Sequence, residues 1–159
     1  MRAPLHACGT GARKVRLDVG NNWDTFSVIY QYPNSVAMNF SSRQFEGHGT
    51  AEGILCRMFG SKGVLETSYG GNVLIRGETF YRGGATKQIY VEGAAANVAA
   101  FHQAVTGGDF SNRTVAPSVQ SNLITIMGRK AAYTGQRVTW EETLKDTERL
   151  DARLDGLKG

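Results

Sequence analysis

Cysteines, long apolar runs and recognisable catalytic motifs are scarce or missing in this 159-residue sequence. Its two cysteines, Cys8 and Cys56, are too few for a disulfide framework in a chain of this length, and neither belongs to a CxxC metal pattern. Free thiols in a reducing compartment are expected. No window approaches the roughly 18–20 apolar residues of a membrane span, and no apolar stretch of signal-peptide length follows Arg2. The expectation is a soluble, cytoplasmic protein with no membrane partner. No serine or cysteine sits in a nucleophile motif. In Cys8-Gly9-Thr10-Gly11-Ala12-Arg13 a lysine, Lys14, stands where a dinucleotide-binding turn has its third glycine, and neither a strand before it nor a helix after it is evident. The segment reads as a flexible turn. Gly60-Ser61-Lys62-Gly63 lacks the spacing of a phosphate-binding loop and reads as a hairpin turn between strands.

Charge is modest, with charged residues at 20% against 41% hydrophobic. The formal net charge of +4 and the cluster Arg13, Lys14, Arg16 raise the question of nucleic acid. No basic stripe interleaves with aromatic residues, however, and the C-terminal segment is rich in Glu and Asp, so no nucleic-acid partner is expected. Glycine is abundant: 20 residues, nearly twice the usual share, point to many tight turns between strands. The length suits one domain spanning residues 1–159 with a single core.

The stretch Asp24–Arg43 alternates in period two on both sides of Pro33-Asn34-Ser35 and predicts a β-hairpin. A three-residue loop opposes Tyr32 to Val36, Tyr30 to Met38 and Val28 to Phe40. A two-residue loop would set apolar residues against polar ones throughout. The odd loop leaves one greasy face, bearing Phe26, Val28 and Phe40 beneath helices, and one small or polar face. Ser27, Gln31, Ala37, Asn39 and Ser41 on that second face allow close approach of another sheet and are candidates for an oligomer contact.

Residues 1–22 read as an irregular lead-in, with Val15 and Leu17 as one short edge strand. Strand-like runs follow the hairpin at Ile54–Phe59, Val64–Thr67, Val73–Arg76, Thr79–Arg82 and Gln88–Val91. From Ala94 the period becomes helical. Val98, Phe101 and Val105 mark one helix ending at Gly107-Gly108, and a second begins at Pro117, turns Val119, Leu123, Ile126, Met127 and Ala131 inward and stops near Gly135. Gly128 inside it costs about 1 kcal/mol relative to alanine, which close packing against the sheet would offset. Thr139-Trp140-Glu141-Glu142 is a capping box opening a third helix with Trp140, Leu144, Leu150, Leu154 and Leu157 on one stripe. Strands first and helices last predict an α+β fold: an open, mostly antiparallel sheet of six or seven strands with about three helices on one face.

Of the three histidines, His6 falls in the lead-in and His102 has no second ligand one helical turn on. His48, between Glu46 and Glu52 in a polar loop, has the neighbours for metal ligation or acid–base work, though such loops are commonly just solvated. No metal site and no complete catalytic constellation emerges.

Four segments in this order, WDTFSVIYQYPNSVAMNFSSRQ, FGSKGVLE, NVAAFHQAVTGGDFSNRTVAPSVQSNLITIMGRKAAYTGQ and VTWEETLKDTERLDARLDGLKG, resemble the C-terminal domain of the glucose-fructose oxidoreductase, inositol dehydrogenase and rhizopine-catabolism oxidoreductases, the Gfo/Idh/MocA family. The resemblance covers nearly the whole chain. It implies a parent enzyme that transfers hydride between NAD or NADP and a sugar or polyol, in which this part bears on substrate choice and oligomerisation. The family's nucleotide-binding glycines, its Glu-Lys-Pro segment and its helix carrying Asp and His have no counterpart in these 159 residues and would lie N-terminal to Met1. No catalytic residue is therefore carried over, no cofactor is expected on this chain alone, and the chain by itself is expected not to turn over. By analogy with the family, Arg43 and Gln44 are candidate donors to a substrate hydroxyl or carboxylate, with His48 and Tyr81 as further candidates, Tyr81 as a wall. The expected partners are copies of the chain meeting through the open sheet, a separate Rossmann-domain protein, and a sugar or polyol. The competing reading is a standalone, non-catalytic binding or assembly module.

Overall fold

The hairpin forms in the register that apolar pairing dictates. In the computed structural model, which describes residues 2–17, 20–46, 53–69, 71–84 and 88–150, strands β2 (Thr25–Gln31) and β3 (Ala37–Arg43) pair antiparallel with Tyr30 opposite Met38 and Val28 opposite Phe40. The Tyr32 amide donates to the Val36 carbonyl at 2.7 Å and closes the three-residue loop. Asn34 and Ser35 take the turn at φ of 61° and 58°, a left-handed conformation in which asparagine is among the least strained non-glycine residues.

The described chain falls into two compact units, one comprising Met1–Phe45 with Arg113–Gly159 and the other Glu46–Asn112. The first unit holds a four-stranded antiparallel sheet in the order β3-β2-β1-β8, where β1 is His6–Ala12 and β8 is Val138–Thr139. The lead-in is thus not irregular. His6 and the Cys8–Ala12 segment belong to a central strand, while Val15 and Leu17, the expected edge strand, lie outside any strand and are exposed. The reason is steric. A Cβ on Gly9 would come within 2.9 Å of Val28 Cγ2, and one on Gly11 within 2.3 Å of the Thr25 carbonyl oxygen, so glycine lets β1 approach β2 where a larger residue would not.

Helix α2 (Val115–Thr134) covers one face of this sheet. Ile124, Met127, Ala131 and Ala132 bury against Ala7, Val28, Tyr30 and Val138, and Trp23, Phe26, Tyr32 and Trp140 pack around that core. Gly128 is the close-approach point: an added Cβ would lie 1.8 Å from Tyr30 Oη. The inward stripe is rotated from expectation, with Ile124 buried while Val119 and Ile126 are exposed. Phe40 is 47% exposed, because α2 lies over β1 and β2 and leaves the β3 edge open. α2 ends at Gly135, where the helix was expected to stop, and the glycine is left-handed at φ 65°.

Helix α3 (Trp140–Lys145) starts on the capping box: Thr139 Oγ1 accepts from the Glu142 amide at 3.2 Å, and Glu142 Oε2 accepts from the Thr139 amide at 2.7 Å. It is much shorter than its apolar stripe suggested. Asp146 is extended and caps it, and Leu144 and Leu150 are exposed. Leu154 and Leu157 lie outside the described residues.

The second unit carries a separate antiparallel meander, β4 (Leu55–Gly60), β5 (Gly63–Ser68), β6 (Val73–Gly77) and β7 (Tyr81–Arg82), in sequence order. The fold is α+β with three helices among the described residues, but with two four-stranded sheets in place of one sheet of six or seven strands. β3 and β4 are edge strands of different sheets, each paired on one side only, to β2 and to β5 respectively. Gln88–Val91 is not a strand. Helix α1 (Ile89–Thr106) begins there and runs to Gly107, with Gly108 left-handed at φ 69°. Val98, Phe101 and Val105 are exposed on it.

Candidate functional site

At the open end of the first sheet, β3 finishes in Arg43 and the chain turns at Gln44, the two adjacent candidates for substrate contact. Arg43 pairs with Thr25 across the hairpin. The Gln44 amide donates to the Asp24 carbonyl at 2.8 Å, and the Asp24 amide donates to the Ala12 carbonyl at 3.0 Å, so one residue ties the ends of β1, β2 and β3 together.

Asp24 does this while fully buried. Its carboxylate accepts the backbone amides of Lys14, Val15 and Arg16 at 2.8–3.1 Å and the Thr25 hydroxyl at 3.0 Å. The Arg16 amide is the largest influence holding the carboxyl well below the usual carboxylate range; loss of solvent opposes it, and the other donors outweigh that loss. A buried anion with this many donors is a fixed structural charge, organising the Arg13–Leu17 loop beside Arg43 and Gln44. Arg13 adds to the loop, donating from Nε to the Arg16 carbonyl at 2.9 Å and from its guanidinium to the Gly20 carbonyl. Sequence reasoning missed Asp24, because a single aspartate before a strand matches no motif.

The other candidates are dispersed. Tyr81 is on β7 in the second unit, opposite Ile75 and 53% exposed. His48 lies outside the described residues. Ser27, Gln31, Ala37, Asn39 and Ser41 do share one face, with Ser27 opposite Ser41 and Gln31 opposite Ala37, on the side of the sheet away from α2. Among the described residues no group of three or more His, Cys, Asp or Glu side chains is placed to hold a metal ion. The Gly9-Thr10-Gly11 pair does not fit a dinucleotide: both glycines are mid-strand and their Cβ positions face Val28 and Thr25. No described helix is long and apolar enough to cross a membrane.

The architecture defined by these elements is an α+β fold in which one helix covers a hairpin-centred antiparallel sheet and a second antiparallel meander is inserted between β3 and α2. Solved structures share it. An oxidoreductase from Agrobacterium radiobacter, crystallised with NAD+, L-tartaric acid and magnesium, is similar with TM-score 0.67 at 14% identity over 86% of this chain and 43% of its own. A chain assigned as an oxidoreductase from Thermotoga maritima gives TM-score 0.58 at 17% identity, over 86% of this chain and 40% of its own. Another from Klebsiella pneumoniae gives 0.53 at 15%, over 90% and 47% respectively. The chain therefore spans less than half the length of these neighbours. No family model and no curated protein sequence matches it.

Proposed function

We propose that this chain is the substrate-side and assembly portion of an NAD(P)-dependent oxidoreductase of the Gfo/Idh/MocA type, acting on a sugar, polyol or related hydroxy compound. The observation that carries the reading is the shared fold with three chains assigned as oxidoreductases, each matched over 40–47% of its length. The NAD+ of the Agrobacterium neighbour supports a nicotinamide in the parent enzyme. In this reading Arg43 and Gln44, set by Asp24, donate to the substrate, and the face carrying Ser27, Asn39 and Ser41 meets another subunit.

The test is a titration of the purified chain with a panel of sugars, cyclitols and polyols, without and with NAD(P). The expected result is saturable binding that weakens in Arg43→Ala, with no reduction of the nicotinamide. Turnover by the chain alone would overturn the division of labour, and an upstream reading frame without a Rossmann domain would point instead to a standalone module. A second reading, self-association through the sheets, is favoured by the exposed Ile29, Met38, Met58 and Tyr81 side chains. Light scattering that finds a strict monomer at high concentration would count heavily against it.

A further inference from the structure

The two faces of the β4–β7 meander differ in chemistry. Strand register puts Cys56, Met58, Leu65, Thr67, Val73, Ile75 and Tyr81 on one face, all uncharged. The opposite face carries Arg57, Glu66, Arg76 and Arg82. There Arg57 and Glu66 sit directly across from each other and form an ion pair at 2.6 Å from Nε to Oε2. Glu66 is thereby held below its ordinary titration range, chiefly by the Arg57 hydrogen bond, with Arg76 adding to the effect.

With Glu66 neutralised by Arg57, two guanidiniums remain. Arg82 lies opposite Leu74, which makes it the diagonal neighbour of Arg76 on the next strand, within mutual reach of long side chains. Neither has a carboxylate within ion-pair distance among the described residues. Both line a concavity of about 440 Å³, together with Glu66, Ser68, Asn72, Leu74 and Phe80. That volume falls in the range of roughly 300–1,000 Å³ common for small-ligand sites. Leu74 and the exposed Phe80 ring are its apolar parts, Ser68 and Asn72 its neutral polar ones.

We propose that this concavity binds a small, multiply charged oxyanion, a di- or tricarboxylate or a phosphate, between the guanidiniums of Arg76 and Arg82. Planar guanidinium forks recognise carboxylate and phosphate oxygens bidentately, and two on adjacent strands match a ligand with two anionic groups or one dianion. The Arg57–Glu66 pair keeps the one acidic side chain of the face from occupying them. The inference is independent of the oxidoreductase reading, since none of its residues is a candidate for the polyol contact.

The experiment is an amide-resolved NMR titration of the full chain with sodium citrate and, separately, sodium phosphate at constant ionic strength, with glucose as the neutral probe. Saturable shifts confined to residues 66–82 are expected for at least one anion and none for glucose. The comparison of citrate with phosphate tells carboxylate from phosphate recognition. Affinity should fall at least about tenfold in Arg76→Gln/Arg82→Gln and less in Arg82→Lys, which keeps charge but not the fork, while Arg137→Gln leaves it unchanged. If the double variant loses spectral dispersion, single Arg82→Gln is the comparison. No saturation up to about 10 mM, shifts spread over Lys14 and Arg137 as well, or equal affinity in the arginine variants would each overturn the proposal.

Discussion

Asp24 and Gly128 show how single residues carry this fold. Because the folded Asp24 carboxyl titrates well below the ordinary value of 3.8, the unfolded chain takes up its proton first as the solution is acidified. Its stabilisation is fully present above that ordinary value, declines as pH falls below it, and is lost completely only below the depressed folded value. Asp24→Asn should therefore lower the melting temperature at neutral pH by on the order of 5 °C and flatten its decline between about pH 5 and 2, followed by circular dichroism. An unchanged acid limb in the variant would place the acid sensitivity elsewhere, at Asp146 or Glu142, whose carboxyls are also held low by Lys130 and by the Thr139 amide respectively. Gly128 makes the opposite kind of contribution, by having no side chain. Alanine would gain about 1 kcal/mol of helix propensity, yet its Cβ would meet Tyr30 Oη at 1.8 Å and Cζ at 2.6 Å. Tyr30 is 4% exposed, so the ring has little room to withdraw. Gly128→Ala should destabilise by about 1–3 kcal/mol in urea unfolding. Tyr30→Phe should recover part of that loss, and strictly additive effects would refute the contact.

Elements were legible in the sequence to the degree that their cause is local. The hairpin register followed from opposing apolar residues, and the α3 start from four consecutive residues, Thr139 to Glu142. Thr139→Ala should cost about 1 kcal/mol in chemical denaturation and Thr139→Ser much less, because serine keeps the acceptor for the Glu142 amide. Equal losses in both would mean that the threonine methyl, not the cap, matters. β1 was illegible because its composition, HACGTGA, argues against a strand; its pairing is set by tertiary approach to β2. Gln88–Val91 misled for the converse reason: aromatic and β-branched residues favour strand locally, while the run lies at the start of an 18-residue helix. The α3 stripe continued in sequence past the point where the backbone turns extended at Asp146. In the candidate site, Arg43 and Gln44 are adjacent in sequence and remain so in the fold, whereas Tyr81 falls in the other unit. Asp24 gave no signal, since its backbone donors lie eight to ten residues upstream in a loop whose path a sequence does not display.

The molecule as a whole is stabilised unevenly. Every buried hydrophobic residue among those described belongs to the first unit, and none of the residues of Glu46–Asn112 whose side chains are described is buried. Burial of apolar surface is the dominant favourable contribution to folding, so the β4–β7 meander and α1 rest mainly on backbone hydrogen bonds and cross-strand pairs. Amides of β1, β2 and α2 should accordingly exchange only through global opening, while those of β4–β7 and α1 exchange through local opening at lower free energy, as hydrogen exchange in dilute solution would show. Equal protection in both units at low concentration would contradict this account. The same measurement bears on assembly. In the second reading, a second copy covering the uncharged face on which Met58 and Tyr81 are more than half exposed would add stability by mass action. Protection of the β5 and β6 amides should then rise with protein concentration while that of α2 stays constant. If β5 and β6 protection is independent of concentration over the range in which light scattering detects oligomers, the contact lies elsewhere, and the face bearing Ser27, Asn39 and Ser41 in the first unit becomes the surface to alter.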